Sequence, residues 1–157
     1  IGRNKKRLFD ANVYIWDGRV WTNSNIDTNY SKSMKLFSDG SGKNEFEENF
    51  LNFKNENNEG TSRNYFHCFC DIVKKIKDKH TGGVPQLVGL YNGNKFNGMY
   101  HGIIIDGQAY YQGLKVGNMY EMSNIRWYNE KFEICDWNTK KRQAGAMIQP
   151  ISRKATP

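Results

Sequence analysis

From His80 to Gly113 the chain reads HTGGVPQLVGLYNGNKFNGMYHGIIIDGQAYYQG, short apolar runs cut by Asn92-Gly93 and Asp106-Gly107. Such dipeptides close hairpins, because a tight type I′ turn needs positive φ at its central residues and Asn, Asp and Gly supply it. The pattern predicts strands over 86–91, 96–100, 102–105 and 108–112. Ile103-Ile104-Ile105 is continuous instead of alternating, which predicts a strand buried on both faces. Further on, 126–128 and 132–135 predict a last hairpin around Asn129-Glu130.

Upstream of this meander the period changes. Phe66, Phe69, Val73 and Ile76 recur at helical spacing, and Tyr65 and Ile72 widen the stripe. A helix capped by Thr61 or Ser62 is expected to run to about Lys79, with that stripe as core and Lys74, Lys75 and Lys77 turned outward. Lysines in its last turn suit the helix dipole. An earlier helix is expected from Asn44, where Asn44 and Glu47 have capping-box spacing and Phe46, Phe50, Leu51 and Phe53 form a stripe. Residues 57–60 end it. Nearer the start, 12–16 and 19–22 are rich in aromatic and β-branched residues, and Asp17-Gly18 between them predicts a hairpin with a type I′ turn. Residues 23–43 read as a loop with one apolar patch, Met34, Leu36 and Phe37. The order ββ, αα, then several β predicts an α+β fold: a mostly antiparallel sheet, a β-meander with hairpins, packed on a pair of helices.

At 157 residues the chain is expected to hold one domain. Its 38% hydrophobic and 14% aromatic content is enough for a core without metals or disulfides. Residues 1–10 form a basic segment, 11–138 the α+β domain and 139–157 a basic polar tail. The formal charge of +7 gathers at the two ends, in Arg3, Lys5, Lys6 and Arg7 and in Lys140, Lys141, Arg142, Arg153 and Lys154. Charge of this kind keeps a protein soluble, and it also suits nucleic acid or another acidic surface. Three cysteines, Cys68, Cys70 and Cys135, are too few for a disulfide framework and point to a reducing, intracellular (cytoplasmic) setting. No apolar run is long enough to span a bilayer, so no membrane is expected. Ile1 is not an initiator methionine, and a processed or trimmed N-terminus is expected.

Cys68 and Cys70 on one helix point about 200° apart at 3.6 residues per turn. They flank opposite edges of the stripe, cannot share a metal even with His67 nearby, and read as small buried hydrophobes. No metal or cofactor is expected. His101 precedes the triple isoleucine, and a Cys on a helix followed by a His at a strand start resembles the order in papain-like and cell-wall cysteine peptidases. That resemblance implies a hydrolase in which His101 activates Cys68 or Cys70. Those enzymes hold the Cys at the helix N-terminus, where the dipole lowers its pKa, whereas Cys68 and Cys70 lie about two turns in. His80 at a helix end is explained by the dipole. Gly82-Gly83 lacks the phosphate-loop pattern, and Ser38-Asp39-Gly40-Ser41-Gly42 reads as a loop.

Asp17-Gly18-Arg19-Val20 reads as a first hairpin turn, and Phe37 through Gly42 as a Gly-rich turn before the first helix. Residues 66–79 then supply a second helix and 86–91 a strand. Across residues 11–112 this plan resembles the N-terminal-nucleophile hydrolases of the proteasome β-subunit type. That family uses residue 1 of the mature chain as its nucleophile. Residue 1 here is Ile, and no Thr, Ser or Cys occurs before residue 22. The resemblance therefore implies a non-catalytic or degenerate relative acting in binding or assembly, with a protein partner or as a homo-oligomer. The rival binding reading rests on aromatics near basic residues: Trp16, Trp21, Tyr110, Tyr111, Trp127 and Trp137 beside Arg19, Lys115 and Arg126. Rings on a sheet can stack bases while cations hold phosphates. Arg19, Trp21, Lys115, Arg126 and Trp127 are its candidate binding residues. Alternation sends Tyr110 and Tyr111 to opposite faces, so only one of them can join a given platform.

Overall fold

The computed structural model describes residues 11–28, 33–53, 60–91, 97–117 and 124–148. The chain first forms a hairpin of β1 (Ala11–Trp16) and β2 (Trp21–Ile26), then two helices, α1 (Lys43–Asn52) and α2 (Ser62–Val73). Strands β3 (Leu87–Tyr91), β4 (Asn97–Ile105), β5 (Gln108–Tyr111), β6 (Leu114–Lys115), β7 (Trp127–Asn129) and β8 (Ile134–Cys135) follow. They make one six-stranded sheet in the order β6-β5-β4-β7-β8, with β3 also paired to β4. All these pairs are antiparallel except β4–β7, which is parallel. The fold is α+β, as the pattern predicts, while β1 and β2 form a separate two-stranded sheet.

β4 is the axis of the sheet. Its first half pairs with β3 from Leu87↔His101 to Tyr91↔Asn97, and its second half lies between β5 and β7. The sequence predicts two strands with a break near His101-Gly102, but β4 runs through without one. Gly102 is no breaker here, because the Trp127 indole lies on it: a Cβ at Gly102 would sit 2.1 Å from Trp127 Cε3. Ile103 faces the helices in a cluster with Phe66, Cys70 and Tyr128, joined by Leu87, Ile105 and Phe132. Ile104 faces the other way, into a cluster with Ala109, Trp127 and Cys135 that Val116, Ile125 and Trp137 cover. The continuous isoleucine run is thus buried on both faces, as predicted.

The turns obey local chemistry with one correction. Asp106 and Gly107 take φ of +49° and +73° and join β4 to β5, and Gln112 and Gly113 (+51° and +79°) join β5 to β6. Both central residues are left-handed in each, as a type I′ turn requires. Between β1 and β2 only Gly18 is left-handed, at +98°. The Asp17 carboxylate accepts from Arg19 N–H (2.8 Å) and Val20 N–H (2.9 Å), making a four-residue loop in place of the predicted two-residue turn. β2 then continues to Ile26, through residues expected to be loop. The Asn92-Gly93 turn lies outside the described residues.

The helices depart from expectation at their ends. Gly42, not Asn44, is the N-cap of α1, and no side chain caps it. Glu47 is drawn away to Lys35 and Ser38 instead of closing a capping box. Helix α2 is capped as expected, Thr61 accepting from Asn64 N–H at 3.2 Å, but it stops at Val73. The Glu45 carboxylate takes the Lys77 N–H at 3.0 and 3.1 Å, so that amide is not available to a further helical turn. Helix α1 packs on α2, and α2 on the sheet, so the helices stack as successive layers.

Candidate functional site

Sequence periodicity makes Phe69 the centre of the α2 core, yet Phe69 is 37% exposed. Of the stripe, Phe66 is buried toward the sheet together with Cys70, and Cys68 and Ile72 are buried as well. Over the middle of the stripe lies a cavity of about 500 Å³. Its floor is Tyr65, Phe69, Val73 and Ile76, and α1 adds Phe46 and Phe50. The rings touch in a chain: Phe50 stacks on Tyr65 at 5.8 Å and on Phe46 at 5.8 Å, and Phe46 meets Phe69 at 5.9 Å. The segment carrying Lys35, Phe37, Ser38 and Asp39 forms one wall, and Thr81, Val84, Pro85 and Gln86 form another.

Polar ties hold the walls. Lys35 pairs with Glu47 and places its ammonium 5.0 Å from the centre of the Phe50 ring. Lys35 and Ser38 together hold the Glu47 carboxyl below its ordinary pKa. At the opposite rim Ser41 donates to Asp78 at 2.5 Å, and Ser41 and Thr81 depress the Asp78 pKa. Gly42 presses on Thr81 so closely that a Cβ there would lie 2.6 Å from Oγ1. The sequence marked Met34, Leu36 and Phe37 as an apolar patch in a loop. That patch was the available signal for a wall, but nothing local shows which helices it leans on.

The proposed thiol and imidazole groups are all interior. Cys68, Cys70 and Cys135 are buried and free. Burial pushes the Cys68 and Cys70 thiols up to about 12, with Asp71 adding to Cys68 and Glu130 to Cys70. His101 is 2% exposed, meets Tyr128 edge-on at 5.3 Å, and bonds to the Arg126 backbone. Burial, with the Arg126 charge, lowers its pKa. The charges acting on the thiols are Asp71, Glu130, Lys74 and Lys35, and the one acting on His101 is Arg126. A nucleophilic thiol needs the opposite setting, exposed and with a depressed pKa.

The candidate binding residues fall in three places. Arg19 and Trp21 lie on the hairpin, Lys115 on the β6 edge, and Arg126 and Trp127 beside β4. Trp21 is exposed and pairs with Trp16 at 5.5 Å, so the hairpin does offer a ring surface with Tyr14 on the same face. Trp127 is buried between Gly102 and Trp137, its ring 4.6 Å from the Trp137 ring. Tyr110 and Tyr111 are both half-buried.

Among the described residues, nothing covers one end of the sheet on one face. Val88 pairs with Tyr100 across β3 and β4, so these side chains share a face with Leu90. That is the face opposite α2, because Leu87 and Ile103 point to the helices. Val88, Leu90 and Tyr100 are all exposed, Leu90 at 58%. The Trp127–Trp137 cover lies over Ile104 and Gly102, and Tyr100, the next residue on that face, is exposed. Among the described residues no His/Cys/Asp/Glu group could hold a metal ion, and no helix is long and apolar enough to cross a membrane. No protein-family model, curated protein or solved structure matches the chain.

Proposed function

We propose that this chain is a non-catalytic domain on a proteasome-like α+β plan that acts by assembly, with a second copy covering the bare end of its sheet. One observation carries this reading: Val88, Leu90 and Tyr100 stand side by side and exposed on the face that the helices leave open. Contiguous exposed apolar side chains mark interaction surfaces, and covering them gains roughly 25 cal/mol per Å². The likeness to the proteasome type rests on the order hairpin, helix pair, meander. The interior thiols with raised pKa favour assembly over thiol hydrolysis. A twofold pair is the simplest form, since one patch then meets itself.

Sedimentation equilibrium tests this. The protein should show a monomer–dimer equilibrium, and Val88→Asp with Leu90→Asp should shift it to monomer while leaving the circular dichroism unchanged. A protein that stays monomeric up to about 1 mM, a concentration reporting only ~4 kcal/mol of association, would overturn the reading.

A further inference from the structure

An assembly surface on the sheet leaves the cavity between α1 and α2 without a role. We propose that this cavity is a binding site for a small, flat, uncharged aromatic molecule. An apolar helix stripe is ordinarily closed by the helix packed against it. Here α1 meets α2 through aromatic contacts, and about 500 Å³ stays open above Phe69, within the size range of small-molecule sites. The space is held open from its edges. Glu45 ties α1 to Lys77 N–H, Ser41 ties its start to Asp78, and Glu47 anchors the opposite wall through Lys35. A site pre-formed in this way binds without the cost of first ordering its walls.

The lining selects the ligand. Phe46, Phe50, Tyr65 and Phe69 present rings, against which a flat aromatic packs by offset stacking or edge contact. The charges in and behind the walls balance: Lys35 and Lys43 stand against Asp39 and Glu47. Lys35 is paired with Glu47, and Lys43 acts on the same carboxylate. An anion would also meet ring faces, which carry the negative part of the aromatic quadrupole. A cation is drawn to such faces, but the protein's own ammonium groups already stand over rings of the site. Lys35 lies 5.0 Å from the centre of Phe50 and 5.9 Å from that of Phe46, and Lys43 lies 6.0 Å from that of Phe37. An ion of either sign would give up its hydration for walls whose charges are already matched, and an uncharged ring would not.

Calorimetric titration of the whole chain tests this with 2-naphthylmethanol, 2-naphthoate, 2-naphthylmethylamine and the ring-saturated decahydro-2-naphthylmethanol. The naphthylmethanol should bind at least about fivefold more tightly than either charged probe, because it loses no ionic hydration on entry. Its saturated counterpart should also bind more weakly, since it makes no ring–ring contacts. Val73→Trp, which fills the floor, should abolish binding of the naphthylmethanol, with circular dichroism checking that it folds. Lys43→Glu takes a cation from the Phe37 ring and adds a carboxylate, so it should narrow the gap between the amine and the alcohol. The proposal is overturned if no probe binds up to about 1 mM. It is also overturned if either charged probe or the saturated alcohol matches the naphthylmethanol on the unmodified chain. A folded Val73→Trp protein that binds undiminished, or a Lys43→Glu protein with the gap unchanged, would overturn it equally. None of these results depends on whether the chain dimerises.

Discussion

Gly102 is the residue on which the sheet interior turns. Its lack of a side chain lets Trp127 lie against β4, and Trp127 in turn supports Trp137. Gly102→Ala should therefore cost at least about 1–3 kcal/mol by overpacking, measured by urea unfolding, although alanine suits a strand better than glycine. A wild-type midpoint for that variant would show the indole free to move aside. At the thiols, a pKa of about 12 leaves almost no thiolate at neutral pH. Iodoacetamide should label Cys68 and Cys70 slowly in the native protein and fast in urea, and fast native labelling would revive the hydrolase reading. Buried His101 resists protonation, its pKa held below the ordinary 6.5. The unfolded chain takes up that proton more readily, so the contribution is whole above about pH 6.5 and is lost as pH falls toward the native value. Unfolding free energy should decline from pH 7 to 5, and His101→Gln should flatten that slope. His67, also lowered by burial, should supply the remainder.

At the scale of elements, two residues of α2 separate what sequence periodicity shows from what it does not. Phe66 and Phe69 belong equally to the predicted stripe, yet Phe66 is buried and Phe69 lines the cavity. Phe66→Ala should cost about 3–5 kcal/mol, and Phe69→Ala no more than about half of that. Equal losses would mean that the cavity closes in solution. The stripe was legible because burial toward any neighbour leaves the same 3.6-residue signature. The cavity was not, because its existence depends on where α1 stands, and that is set by Glu45, Glu47 and Ser41 reaching residues distant in sequence. The same cause misplaced the cap of α1: Asn44 and Glu47 carry the right spacing, but Lys35 and Ser38 take Glu47. The Asp106-Gly107 turn and the doubly buried isoleucines were legible, since each depends on its own few residues.

Over the whole molecule, order runs outward from β4: sheet, then α2, then α1 with its ring contacts, with the β1–β2 hairpin as a sheet of its own. Isolated two-stranded sheets are marginal in water. Amide exchange should accordingly be slowest in β4 and α2 and far faster in β1 and β2, and uniform protection would show that something covers the hairpin. The parallel pairing of β4 with β7 has a further consequence for how the molecule comes into being. Strands β3, β4 and β5 are neighbours in sequence and can pair through short loops, whereas β7 reaches β4 only after the chain has passed through β5, β6 and residues 116–126. On a ribosome the edge of β4 that takes β7 must wait, unsatisfied, until residues 127–129 have been made. A chain stalled before Trp127 carries an open strand edge beside bare isoleucine, so the synthesis of residues 106–129 is the interval in which this sheet most needs a chaperone.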